Sequence, residues 1–142
     1  VYLWDANILR HFEEGHPTLR LYLSRIPWSE IALPSVVVAE LLRGRSDFAL
    51  KASPTQAPLA HELLQKTRLM LAEFNVVLFD QASAEVMMRL QRQVKTNKRY
   101  ADVMIAAAAV SGQHIVVTRN QRHFADLLPS KQLVNWIDVT PR

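Results

Sequence analysis

The sequence predicts an α/β fold: a parallel sheet of about five strands, covered on both faces by helices. Three observations predict it. Short apolar, β-favouring runs punctuate the chain at residues 1–4, 30–33, 75–79, 114–118 and 133–139. Between them lie segments whose apolar residues recur at the spacing of one helix face. The third is size and composition. A chain of 142 residues suits one domain over residues 1–142, and 49% hydrophobic with 21% charged residues is the balance of a folded globular protein.

Val1-Tyr2-Leu3-Trp4 reads as a buried strand that ends at Asp5. Asn7 to Glu14 is expected to be helical and to stop near Gly15. Pro17 opens a second helix, in which Leu19, Tyr22, Leu23 and Ile26 share a face. Glu30-Ile31-Ala32-Leu33 is the second strand; Pro34 stops it, and Ser35 is expected to cap the next helix. That helix is expected over Val36 to Arg43, ended by Gly44, with Arg45 to Gln56 an irregular loop. Pro58 opens a helix predicted to bury Leu59, Leu63, Met70 and Leu71. Asn75 to Phe79 is the third strand. Asp80 can cap the helix after it, where Met87, Leu90 and Val94 form the apolar stripe. Ala101 to Val110 is apolar on nearly every face, the mark of a helix buried on most sides, and Gly112 ends it. His114 to Thr118 is the clearest strand, and Leu133 to Val139 the last. There is no internal repeat.

Composition narrows the function. Lys and Arg outnumber Asp and Glu by 17 to 13, a net charge of +4 that suits an anionic partner such as nucleic acid. The absence of cysteine excludes a disulfide scaffold, thiolate chemistry and Cys-based zinc sites. No apolar run is long enough to cross a bilayer and no secretory leader precedes the first one, so a cytoplasmic location without a membrane partner is expected. Gly15, Gly44 and Gly112 build neither a dinucleotide fingerprint nor a P-loop.

Open α/β sheets bind ligands at the carboxyl ends of their strands, so the polar residues there carry the argument. Glu13, Glu14, Asp47, Glu62, Glu73, Glu85 and Asp126 stand among polar residues and read as solvated faces or turns. Glu30 precedes a strand, Asp138 reads as outward-facing in the last one, and Asp80 is explained at least as well by a helix cap as by catalysis. Three acids resist that treatment. Asp5 closes an apolar strand, Glu40 sits inside Val-Val-Val-Ala-Glu-Leu-Leu, and Asp102 begins the most apolar helix. Singly, each is explained by a cap or an ion pair; together they favour a shared site, because a buried unpaired carboxylate is costly. Either bound cations or a partner Arg or Lys would satisfy them, and Mg²⁺ or Mn²⁺ is the natural cation for oxygen ligands. Thr118-Arg119-Asn120 should face the same crevice, where Asn120 can offer a neutral oxygen. Asn7 either orients Asp5 or caps the following helix.

Arg89, Arg92, Lys95, Lys98 and Arg99 precede Asp102, and Arg119 and Arg122 follow the clearest strand. A basic rim around an acidic centre suits a phosphodiester substrate, although a solvated helix end explains the basic run too. Tyr100 or Trp4 could stack on an unpaired base or simply pack.

Leu3-Trp4-Asp5-Ala6-Asn7-Ile8-Leu9, Val38-Ala39-Glu40-Leu41, Ala101-Asp102-Val103-Met104-Ile105-Ala106-Ala107-Ala108 and Val117-Thr118-Arg119-Asn120 resemble, in order and spacing, the PIN-domain nucleases. The likeness is to the VapC-type toxins of bacterial toxin–antitoxin modules and spans essentially the whole chain. It implies a three-layer α/β/α sandwich and Mg²⁺- or Mn²⁺-dependent cleavage of single-stranded or looped RNA, tRNA or rRNA among the targets, inhibiting translation unless an antitoxin intervenes. It carries the family's metal-binding acids onto Asp5, Glu40 and Asp102, with Asn120 in a fourth catalytic place that is often acidic. His123 stands before Phe124 where an acid is common. Both departures remove negative charge and put tight binding of a second metal in doubt. Asn7, Arg99, Thr118 and Arg119 are the expected substrate contacts. The resemblance further implies a homodimer and a cognate antitoxin lying across the active-site groove, which the helices around Leu19–Ile26 and Leu59–Leu71 could offer. Two other readings are weighed against it. One is a catalytically weak or dead binding module on the same fold. The other is a phospho-acceptor receiver domain with Asp80 as acceptor and Thr118 as switch, which the lone Asp5 and the lack of a Lys after Val139 disfavour.

Overall fold

Leu3 and Trp4 are neighbours in β1 (Tyr2–Trp4), and neither exposes any surface to solvent. Successive strand residues point to opposite faces, so both faces of the sheet are covered. Val116 and Val117 in β4 (Ile115–Val117) repeat the pattern, and all of β2 (Ile31–Pro34) is buried. The computed structural model describes all of residues 1–142.

With β3 (Asn75–Val77) and β5 (Leu133–Val134), these strands make one five-stranded, all-parallel sheet in the order β3-β2-β1-β4-β5. Helices α1 (Ala6–Glu13), α2 (Pro17–Leu23), α3 (Ser35–Lys51), α4 (Ala57–Leu71), α5 (Gln81–Gln93) and α6 (Tyr100–Gly112) complete the predicted three-layer α/β/α arrangement. α3 packs on α4 and on α6, and α5 packs along α6. The reach of α6 into the core follows from its sequence, since Val103 and Ile105–Ala109 are all buried. Trp4 anchors an aromatic cluster with Phe12, Trp28, Phe74 and Trp136, at ring separations of 5.5–6.3 Å. Its ring is inside the core and cannot stack on a base.

Several local expectations are corrected. Gly44 does not end α3, which runs on to Lys51, so most of the expected loop from Arg45 is helix. Gly44 has no positive φ, and the segment beyond it is held by Ala49, which is buried, and by Arg45 Nε donating to Thr67 Oγ1 of α4 at 3.1 Å. Packing against α4 outweighs the weak helix propensity of one glycine. In α4 the buried face is Ala60, Thr67 and Leu71, while Leu59 is exposed; in α5 it is Ser83, Val86 and Leu90. Ser35 does not cap α3. Its hydroxyl instead accepts the Phe79 amide at 3.0 Å, tying the end of β3 to the start of α3. The last strand stops at Val134, and Trp136 and Ile137 are buried from a turn rather than a strand.

The sheet order also removes the receiver reading. Receiver domains place the acceptor strand in the interior of a 2-1-3-4-5 sheet, whereas β3 here is an edge strand. Asp80 is the N-cap of α5, accepting from the Ser83 amide at 2.8 Å and hydroxyl at 2.9 Å, which holds its carboxyl below the usual range.

Candidate active site

The strand order reverses direction between β1 and β4, the point at which an open parallel sheet leaves a crevice at its carboxyl edge. Asp5 is the residue after β1 and Thr118 the residue after β4. The ladder continues one step beyond the strands, with the Asp5 amide donating to Val117 O at 3.2 Å. α6 runs into β4, so its first turn, carrying Asp102, lies at this same edge.

Asp5 is both the N-cap of α1 and the most buried acid of the site, 7% exposed. Its Oδ1 accepts the amides of Asn7 at 3.1 Å and Ile8 at 3.3 Å. Its Oδ2 accepts the Thr118 hydroxyl, and Thr118 Oγ1 in turn accepts the Asn120 amide at 3.0 Å. The alternative in which Asn7 caps α1 is therefore corrected: Asp5 caps, and Asn7 lies in the first turn. No Lys or Arg pairs with Asp5. Burial pushes its carboxyl up, the bonds from Thr118, Ile8 and Asn7 pull it down, and repulsion from Asp102 pushes it up further. Asp102 is likewise raised by burial, against weaker pulls from His123 and Arg99. His123 Nδ1 stands 3.9 Å from Asp102 Oδ2.

Glu40 lies in the second turn of α3, where its Oε2 accepts the Tyr100 hydroxyl at 3.3 Å. It opens on a depression shared with Arg43, Asp47 and Tyr100, separate from the cavity that Asp102 lines. The three acids are not gathered into a preformed metal cage, and no set of three or more acidic or histidine side chains is. What the structure brings to the same edge is Asp5 and Asp102, both raised chiefly by burial, with Asp102 adding a small upward push on Asp5 and no Lys or Arg ion-paired to either. Such a pair fits a hard divalent cation, which would relieve burial and repulsion at once.

The expected substrate arginines are engaged elsewhere. Arg99 grips Asp126 through two bonds of 2.9 and 2.7 Å, and also donates to Lys95 O at 3.0 Å and His123 O at 2.9 Å. Arg119 Nε donates to Asp138 Oδ2 at 3.1 Å. Both acids read as plain surface carboxylates in the sequence; Asp126 is instead held ionised by Arg99, and Asp138 by the Asn135 side-chain amide first and by Arg119 second. Partners so far apart along the chain left no sequence signal, and neither did the Tyr100–Glu40 contact. Asn120 is exposed and Asn7 half-buried at the crevice.

The sequence model of the PIN domain family matches residues 2–127. This chain belongs to the PIN domain family. PIN domains are in general nucleases. No curated protein matches the chain by sequence at a significant level. Solved structures do match this PIN domain by shape. One is the toxin–antitoxin complex from Klebsiella pneumoniae, at 23% identity and a TM-score of 0.69, over 98% of this chain and 100% of that one. FitAcB from Neisseria gonorrhoeae is 23% identical with a TM-score of 0.73, over 98% of this chain and 100% of that one. DNA-bound VapBC from Salmonella typhimurium is 22% identical with a TM-score of 0.75, over 95% and 97%. At these identities the likeness is one of fold. Within the PIN domain, Asp5 and Thr118 border the crevice between β1 and β4, while Glu40 opens on a separate depression. No helix of the PIN domain is long and apolar enough to cross a membrane.

Proposed function

We propose that residues 1–142 act as one metal-dependent endoribonuclease domain, the toxin of a VapC-type pair. The single observation that carries this reading is Asp5: buried at the switch point of the sheet, unpaired by any Lys or Arg, and repelled by Asp102. A carboxylate so placed is costly unless something positive meets it. Asp5 and Asp102 would hold Mg²⁺ or Mn²⁺, with Glu40 joining them by releasing Tyr100. When bound, such an ion supplies an activated water and stabilises charge on a phosphoryl group. The chain's own residues do the rest. Thr118 and the α1 amides fix the Asp5 carboxylate in one orientation, so no side-chain freedom is lost when the charge is met. Lysines and arginines around Asp102 hold the RNA backbone. Asn120 and Asn7 border the crevice as neutral polar groups for substrate or water.

Partners follow from the same reading. The similar structures are toxins with their antitoxins, some on DNA, and we infer an antitoxin segment that covers this crevice, a homodimer, and a cytoplasmic setting in which tRNA or rRNA is cut. A second reading, a PIN module that binds RNA or protein without cutting, draws on Glu40 being held by Tyr100 and on Asn120 and His123 standing where acids are common.

One experiment separates the two. Total tRNA and rRNA are incubated with the protein while Mg²⁺ or Mn²⁺ is titrated, and cleavage is mapped at nucleotide resolution. Cuts at discrete positions that vanish in EDTA and in the Asp5→Asn/Glu40→Gln/Asp102→Asn variant are expected. Cleavage that persists in either control overturns the mechanism, and RNA binding without cleavage at any metal concentration leaves the binding module.

A further inference from the structure

Beside Asp102 the surface opens into a cavity of about 480 Å³ whose wall is almost wholly charged: Lys98, Arg99, Arg122 and His123 against Asp102 and Asp126, with one alanine. The charges do not cancel evenly. Arg99 and Asp126 neutralise each other through their paired bonds of 2.9 and 2.7 Å. His123 faces Asp102 at 3.9 Å. Lys98 and Arg122 are left with no carboxylate partner. Both are exposed and border the same space. Lys98 is held at a φ of 62°, a backbone conformation that residues with a side chain rarely adopt and that recurs where ligands are gripped. The Arg99 clamp fixes this geometry. It bonds the carbonyls of Lys95 and His123 at 3.0 and 2.9 Å, so the segment before α6 and the turn of Gln121–His123 form two walls at a set distance.

An apolar ligand finds almost nothing here, and away from the Asp102 carboxylate a cation would meet two unpaired positive side chains. An anion fits. Because Asp102 belongs to both the cavity and the proposed cleavage site, the anion sits next to the reacting position. We propose that this cavity seats a backbone phosphate of single-stranded RNA neighbouring the one that is cut, with Lys98 and Arg122 as its cationic holders. The proposal rests on the nuclease reading for its placement along the strand. It moves substrate contact away from Arg99, whose donors are already committed to the protein.

The test measures binding apart from cleavage. Anisotropy of a labelled, mixed-sequence single-stranded oligoribonucleotide is followed in EDTA at several KCl concentrations. The proteins are the full chain, Lys98→Gln/Arg122→Gln and Lys131→Gln, a surface control remote from the cavity, with melting curves to show that each is folded. Loss of the holders is expected to weaken binding about tenfold at low salt and to reduce the slope of log Kd against log salt by about 0.7, the amount for one phosphate of a single strand. Lys131→Gln is expected to bind like the parent. With cleavable RNA and Mn²⁺, the double variant is expected to raise KM while kcat stays within about threefold, the signature of lost uniform binding. Unchanged Kd and slope in the double variant, or an equal loss in Lys131→Gln, overturns the proposal. So does a double variant that binds RNA normally but loses an acidic peptide such as oligoglutamate. If the parent cuts no RNA, the nuclease reading fails while the binding curves still decide the cavity.

Discussion

Thr118, at the end of β4, donates its hydroxyl hydrogen to Asp5 at the end of β1, so one side chain bridges the two strands on either side of the crevice. The bond locks a carboxylate that burial already disfavours in its charged form. Asp5 therefore has two roles with opposite energetic signs. It caps α1, which stabilises, and it carries buried charge, which does not.

Asp5→Asn and Asp5→Ala separate those roles. The folded-state pKa of Asp5 is raised, so its contribution to stability is present below the ordinary carboxylate value of 3.8 and is lost as pH rises through the folded value. At pH 7 without metal, Asp5→Asn keeps the cap, removes the charge and is expected to raise Tm by a few degrees, an advantage that fades towards pH 4. Asp5→Ala loses the bonds to the Asn7 and Ile8 amides, a loss that costs about 1 kcal/mol for a helix cap, and is expected to melt lower than Asp5→Asn. Differential scanning calorimetry in EDTA reads both. Asn melting below the parent would show that the carboxylate is not strained.

Tyr100→Phe frees Glu40. The 3.3 Å bond lies on the surface and is worth about 0.5 kcal/mol or less to stability. If Glu40 serves the metal, the half-saturating Mn²⁺ concentration for cleavage is expected to fall in Tyr100→Phe and to rise about tenfold or more in Glu40→Gln. A large loss of activity in Tyr100→Phe would place the hydroxyl itself in the chemistry.

Gly44→Ala tests the helix that the sequence cut short. A Cβ at Gly44 meets nothing within 4 Å, and the residue lies in the interior of α3. The substitution is expected to stabilise the fold by about 0.5–1 kcal/mol, seen as a higher midpoint in urea at unchanged slope. A loss of stability would mean that α3 is broken there in solution.

His11 sets a pH limit. Its ring is buried with neither nitrogen hydrogen-bonded, and it packs edge-on to His16 at 5.3 Å. Burial, then the nearby His16, Arg10 and Arg119, lower its pKa. The unfolded chain thus binds this proton more readily, so the stability associated with a neutral His11 is present above the ordinary value of 6.5 and is lost as pH falls below it. Melting temperature is expected to drop between pH 7 and pH 5.5, and to drop less in His11→Leu. Equal slopes would exclude His11 as the cause.

Much of this was readable in the chain because it is local. Strand ends, helix periods and the Asp80 cap depend on residues a few positions apart, and Asp5, Glu40 and Asp102 stood out because a charge beside apolar surface needs a reason, although Glu40 opens on a depression of its own. Gly44 and Ser35 misled for the same cause inverted. Each has a strong local habit, and each was overruled by a contact with a distant element, α4 in one case and the end of β3 in the other.

The sequence by itself determined the alternation of strands and helices, the carboxyl-edge location of the acids and the basic surplus nearby, all properties of spacing and composition. Only the tertiary structure decided which charges face each other. It joined Arg99 to Asp126 across 27 positions and Glu40 to Tyr100 across 60, and it left Lys98 and Arg122 unpaired beside Asp102. Ion pairing depends on distance in space and on burial, and neither is fixed until strand order and helix packing bring remote segments of the chain together.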